Sequence, residues 1–180
     1  MPAERARLRV WDPLVRIFHW ALAAAFVVAW FSHGGYLALH RLSGYAIAAL
    51  VVVRIFWGFV GPPHARFADF VRGPGELAAY VGLLVRGREP RHIGHNPAGG
   101  AMIVVLLAVL AALSATGVLL DTPSFRDDGR VKQVHDALTD AALVCIALHL
   151  AGVAYASWRH RENLVAAMIS GNKRSRGCDG

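Results

Sequence analysis

The chain has 180 residues, of which 56% are hydrophobic and 17% charged. A soluble domain is about 45–50% apolar and about 25% charged, so the composition excludes an ordinary soluble domain, a disordered chain, a collagen and a disulfide scaffold. The net charge of +7 would by itself fit nucleic acid or an anionic surface, and nine histidines are many for so apolar a chain.

In chain order, Arg5, Arg7 and Arg9 precede the apolar stretch Leu14–Phe31. That stretch is too long for the apolar region of a secretory signal, contains Arg16 and His19, and ends without a small-residue cleavage site, so it reads as a retained transmembrane helix. A span needs roughly 20 mostly apolar residues, and four segments qualify: about 14–32, 36–60, 98–120 and 134–158. His33–Gly35 forms a tight turn, and Asp121–Gly129 a short polar loop containing Pro123. The long connection Gly61–Pro97 is punctuated by Pro62-Pro63, Gly73-Pro74-Gly75 and Asn96-Pro97. Within it, Glu76–Val85 has a helical period but cannot span, so the segment at about 66–87 is expected at the membrane interface. The expectation is an all-α integral membrane four-helix bundle, with a cytoplasmic interfacial helix between the second and third spans. It is a single domain over residues 1–180, ending in a basic tail at 159–180.

Lys and Arg set the orientation. Arg5, Arg7, Arg9, Arg66, Arg72, Arg86, Arg88, Arg91, Arg159, Arg161, Lys173, Arg174 and Arg176 fall on one side. The other side has Arg126, Arg130 and Lys132, offset by Asp121, Asp127 and Asp128. Both termini are therefore expected in the cytoplasm of a bacterial inner-membrane protein. The lipid bilayer, with its anionic inner leaflet, accounts for the charge without nucleic acid. Cys145 and Cys178 form no C-x-x-C pair and no C-x-x-C-H, which excludes zinc-ribbon, iron–sulfur and thioredoxin chemistry and covalently attached haem. Cys145 reads as a small buried hydrophobe, and Cys178 lies in the polar tail.

Ionisable residues inside a span are costly and mark function. His19, His40, His135 and His149 fall in spans. His135 and His149 are 14 residues apart on the fourth helix, which returns them to one face about 21 Å apart. His40 opens the second helix at the outer level of His135, and His19 lies at the inner level of His149. Two histidine pairs from facing helices suit two non-covalent, bis-His haem b groups. A flat porphyrin needs small neighbours, and Ala23, Gly44 and Gly152 lie within a turn of ligands. Arg54, 14 residues after His40, is placed to pair with propionates of the inner haem, and Arg41 and Arg16 could do the same at the outer and inner levels.

A single intramembrane histidine serves equally as an interhelical hydrogen bond, and Arg16 could simply snorkel. A non-haem metal site would cluster its ligands at i, i+3 or i+4, and only His92 and His95 come close, in a loop ending at Pro97. His33, in the turn, rivals His40. His64, His92, His95 and His160 read as solvated. Trp11, Trp20, Trp57 and Trp158 read as interfacial anchors.

The stretches Asp12–Trp20, His40-Arg41-Leu42-Ser43-Gly44-Tyr45, Gly61–Phe67 and Gly94-His95-Asn96-Pro97-Ala98-Gly99-Gly100 resemble the prokaryotic cytochrome b561 family, itself similar to the b-type cytochrome subunits of nickel–iron hydrogenases. The resemblance covers about residues 9–171. It implies a four-helix electron carrier with two haem b groups, in which His19, His40, His135 and His149 match the ligand positions. It implies exchange with quinone or with a redox protein such as a cytochrome c or a dehydrogenase. The alternative is a haem-bearing anchor subunit for such a partner, and a non-haem transporter ranks below both. A homodimer is also open. Asp136, Asp140 and His95 are the protonable groups that a quinone reaction could use.

Overall fold

The computed structural model describes residues 7–9, 11–63, 65–90, 92 and 94–174. Arg5, His64, Arg91, Arg176 and Cys178 lie outside the described residues. Arg7, Arg9, Lys173 and Arg174 are described in their backbone only.

Four helices are long and apolar enough to cross a membrane: α1 (Pro13–Ser32), α2 (Leu37–Val60), α5 (Pro97–Asp121) and α6 (Gly129–Arg159). Each start has a local cause. Asp12 caps α1 by accepting from Val15 N, and Asn96 caps α5 by accepting from Gly99 N at 2.7 Å. Both helices carry proline just inside the cap, where its missing N–H costs nothing. The α1–α2 turn is closed by the amide of Tyr36 donating to Ser32 O at 2.9 Å.

The chain runs up α1, down α2, up α5 and down α6. One end of the bundle, here the terminal end, therefore holds the start of α1, the end of α6 and the connection between α2 and α5. The other is the far end. The connection folds into α3 (Phe67–Phe70) and α4 (Pro74–Val85). α3 packs on α2 and α4 on α5. The α3–α2 approach needs a glycine, since a Cβ on Gly58 would collide with the Phe67 ring.

The core joins α1, α2 and α5 through Ala29, Ile47, Val51 and Leu110. α6 behaves differently. It packs closely along α5 but stands off from α1 and α2, and Ala142 is its one buried residue among those described. A gap thus runs between α6 and the α1–α2 pair. The extensive apolar surface on the spans is what a lipid solvent requires.

Two departures from the sequence expectation are instructive. α6 starts at Gly129, not near residue 134, because Asp128 caps it by accepting from Arg130 N and Val131 N at 2.8 and 3.2 Å. Asp136 is then two turns in, exposed and paired with Lys132 at 2.7 Å. The segment expected as a basic tail is also partly folded. Asn163 caps α7 (Leu164–Ser170) by accepting from Ala166 N at 2.8 Å, and Gly171, at φ 84, ends it in the left-handed conformation that glycine adopts freely. Strand β2 (Asn172–Arg174) then pairs antiparallel with β1 (Arg7–Arg9), in the register Arg7↔Arg174. Trp11 and Ala167 bury against each other beneath this ribbon.

Candidate functional site

The gap along α6 is bridged by histidine rings. His19 from α1 faces His149 from α6 with ring centroids 6.4 Å apart, and His40 from α2 faces His135 from α6, also at 6.4 Å. These are the two pairs that helix geometry anticipated. They lie at different depths, separated by about 21 Å of rise along α6.

The far-end pair is oriented from behind. His40 Nδ1 lies 2.9 Å from Ala29 O, and His135 Nδ1 lies 3.0 Å from Thr116 Oγ1. A carbonyl partner makes Nδ1 of His40 the protonated nitrogen and leaves Nε2 with a free lone pair, the state in which imidazole binds a metal. Gly117 gives the His135 ring its room, because a Cβ there would sit 3.3 Å from Cε1. No sequence rule singled out Gly117 or Thr116, although both lie against the His135 ring. The terminal-end pair is incompletely bonded. His19 Nδ1 is buried without a hydrogen-bond partner among the described residues, a condition that costs about 1–3 kcal/mol if nothing fills it.

The donor set fits a haem. A metal–imidazole bond is about 2 Å and the bonding nitrogen is about 1 Å from its ring centre, so two rings on opposite sides of one metal ion have centres about 6 Å apart. Both pairs meet that spacing. Directly bonded or stacked rings would be closer, and side chains meeting by chance would have no reason to match. Space beside the ligands is also present: a Cβ built on Gly44, one turn after His40, or on Gly152, after His149, meets nothing within 4 Å. No group of three or more His, Cys, Asp or Glu side chains able to hold a metal occurs among the described residues. A two-histidine set would fit a metal ion whose remaining coordination a prosthetic group completes.

The remaining predicted site residues are placed as follows. Arg54 is 4% exposed. Its guanidinium lies over the rings of Phe67 and Phe70, at 5.2 and 6.0 Å, and its Nη1 is buried with no hydrogen-bond partner among the described residues. Arg41 pairs instead with Asp121 at 3.0 Å, and Tyr45 donates to the same carboxylate at 2.9 Å. Arg16 donates to the last carbonyls of α7, Met168 O at 3.3 Å and Ile169 O. His33 is exposed in the turn with Nδ1 on Trp30 O, while His40 takes the place opposite His135. Asp140 is exposed. His95 packs between Trp11 and Phe70, at 4.6 and 4.8 Å, at the terminal end.

The family model described as prokaryotic cytochrome b561 matches residues 10–171. The chain belongs to the prokaryotic cytochrome b561 family. It is also similar, at 24% identity over 218 aligned positions covering 94% of this chain and 90% of the relative, to a protein of Rhizobium leguminosarum bv. viciae named a probable Ni/Fe-hydrogenase B-type cytochrome subunit. No solved structure matches the chain. Cytochromes of this family are membrane-bound haem b proteins of electron transport, in keeping with the four apolar helices.

Proposed function

We propose that this protein is a di-haem b-type cytochrome carrying electrons in the membrane between a quinone pool and a redox partner. The observation that carries the reading is the matched 6.4 Å spacing of both histidine pairs between α6 and the α1–α2 pair. His40 and His135 would hold the far-end haem, and His19 and His149 the terminal-end haem. Haem iron cycles between ferric and ferrous states and so accepts and passes one electron.

The protein's own residues do the rest. Ala29 O and Thr116 orient the far-end imidazoles. Gly44, Gly117 and Gly152 leave room for a flat group. The apolar spans would keep water from it, and the two histidines of each pair would hold its iron without leaving a place for oxygen. Arg54 supplies a buried positive charge at the terminal end, where its unfilled Nη1 suits a propionate. Arg16 and Arg41 already serve protein acceptors and are less suited to that role. The charge distribution of the connecting segments supports cytoplasmic termini, with α4 lying along the inner interface.

Reduced-minus-oxidised spectroscopy with haem quantification tests the reading. The wild type should bind two b-type haems. His135→Ala should lose the far-end haem and His149→Ala the terminal-end haem, each keeping the other. Survival of both haems in either variant would refute the pairing.

The likeness to a protein named as a hydrogenase cytochrome subunit favours a second reading, a haem-bearing anchor for a dehydrogenase. Reduction of the purified protein by quinol without a partner would support the autonomous carrier. Failure of that reaction, restored by adding a dehydrogenase, would support the anchor.

A further inference from the structure

Glu89 belongs to neither histidine pair. It lies in the turn after α4, yet its side chain is only 1% exposed. Carboxylates are almost never so buried unless paired. Here one oxygen is paired and the other is not. Oε1 lies 3.3 Å from Arg159 Nε and accepts from the Tyr155 hydroxyl at 3.3 Å. Oε2 is buried and accepts no hydrogen bond from the described residues.

The described groups around the carboxylate come from two helices. α6 contributes Tyr155 and Arg159, and α4 contributes Tyr80. His92 stands edge-on to the Tyr80 ring, at 5.5 Å. Burial first, then the charges of Glu89 and Tyr155, push the Tyr80 hydroxyl above its usual pKa, so it remains a neutral phenol. Near the ends of the same two helices, Val85 is 83% and Trp158 77% exposed, and the Trp158 ring lies 6.4 Å from that of Tyr155. It begins six residues beyond His149 on α6, about 9 Å of helix rise.

An ionised carboxylate oxygen only accepts. A ligand that fills Oε2 must therefore donate a hydrogen bond, and one arriving from the membrane past exposed Trp158 must be lipid-soluble. The Tyr155 phenol on Oε1 shows the matching donor. We infer that Glu89, flanked by Tyr80 and Tyr155, binds the reduced, hydroxyl-bearing form of a membrane quinone and discriminates against the oxidised form. The oxidised ring would present a carbonyl, a second acceptor, to Oε2. Entry requires Gly87 and Arg88 to move aside, which breaks the bond from Arg159 Nη2 to Gly87 O at 2.7 Å, while Glu89 keeps Arg159 Nε and Tyr155. A site of this kind favours quinol as the electron donor. The inference rests on the quinone exchange proposed above and adds to it the residue and the preferred redox form.

The test is binding to the purified, haem-loaded protein. A short-chain ubiquinol is titrated into reduced protein and the matching ubiquinone into oxidised protein, so that neither pair exchanges electrons. Wild type should bind the quinol about tenfold to a hundredfold tighter, the worth of a hydrogen bond to a charged group. Glu89→Gln should erase the preference, because an amide both donates and accepts, while Glu89→Asp should keep it. Haem content and thermal unfolding of the variants check the fold, and if Glu89→Gln does not fold the wild-type ratio alone decides. Equal binding of both forms by wild type, or a preference that survives Glu89→Gln, overturns the inference. Binding of neither form by wild type overturns the quinone reading itself.

Discussion

Arg54→Met should have opposite meanings in the empty and the loaded protein. Arg54 is 4% exposed, stacked on two phenylalanines, with one guanidinium nitrogen unmatched. In the haem-free protein the substitution removes a buried charged donor whose missing partner costs about 1–3 kcal/mol. It also gives up two cation–π contacts of about 0.5–2 kcal/mol each. Methionine keeps the unbranched stem against the rings. The terms nearly cancel, so the empty protein should change by about 1 kcal/mol or less.

In the loaded protein the same change strips a partner from a partly buried propionate, a loss of about 3 kcal/mol, or roughly a hundredfold in haem affinity at the terminal end. Titrating the stripped protein with haemin reads the affinity, and thermal unfolding with and without haem reads the stability. The far-end haem proposed on His40 and His135 serves as the internal control. An equal stability loss with and without haem, or equal weakening at both sites, would show that Arg54 acts on the protein alone.

Gly117→Val should weaken the far-end haem while sparing the terminal-end one, because even a Cβ at this position lies 3.3 Å from His135 Cε1; site-resolved redox titration checks this. Asn163→Ala should cost α7 about 1 kcal/mol through the lost cap, and limited proteolysis should then cut earlier between residues 160 and 174 than in wild type.

The four spans were legible because bilayer length and apolar runs leave few other solutions, and the pairing of histidines followed from helix polarity and the 14-residue spacing on α6. The less legible features depend on tertiary contact. Seven-residue α7 has no helical stability of its own. It is held by its Asn163 cap, by Arg16 on its final carbonyls and by Ala167 against Trp11. Hence an arginine that sequence logic offered to a haem serves a helix end instead. Glu89 went unnoticed because an acid in a polar turn reads as solvated until the end of α6 is laid over it. The start of α6 was misjudged because its first turns are polar, although Asp128 before Gly129 was a usable cap signal.

The β1–β2 ribbon has a consequence for how the cofactor gap is kept. α1 and α6 carry the terminal-end histidines but do not pack directly on each other. Pairing Arg7 with Arg174 ties the approach to α1 to the exit from α6, turning the bundle into a closed circuit with its hasp just beyond the His19–His149 level. The two helices that carry His19 and His149 are thereby tied together. For the haem proposed between them, the approach entropy would be met by the ribbon, and the site would be preorganised. Because the hasp joins a segment before the first span to one after the last, it can close only when the whole chain is in the membrane with its ends on the same side.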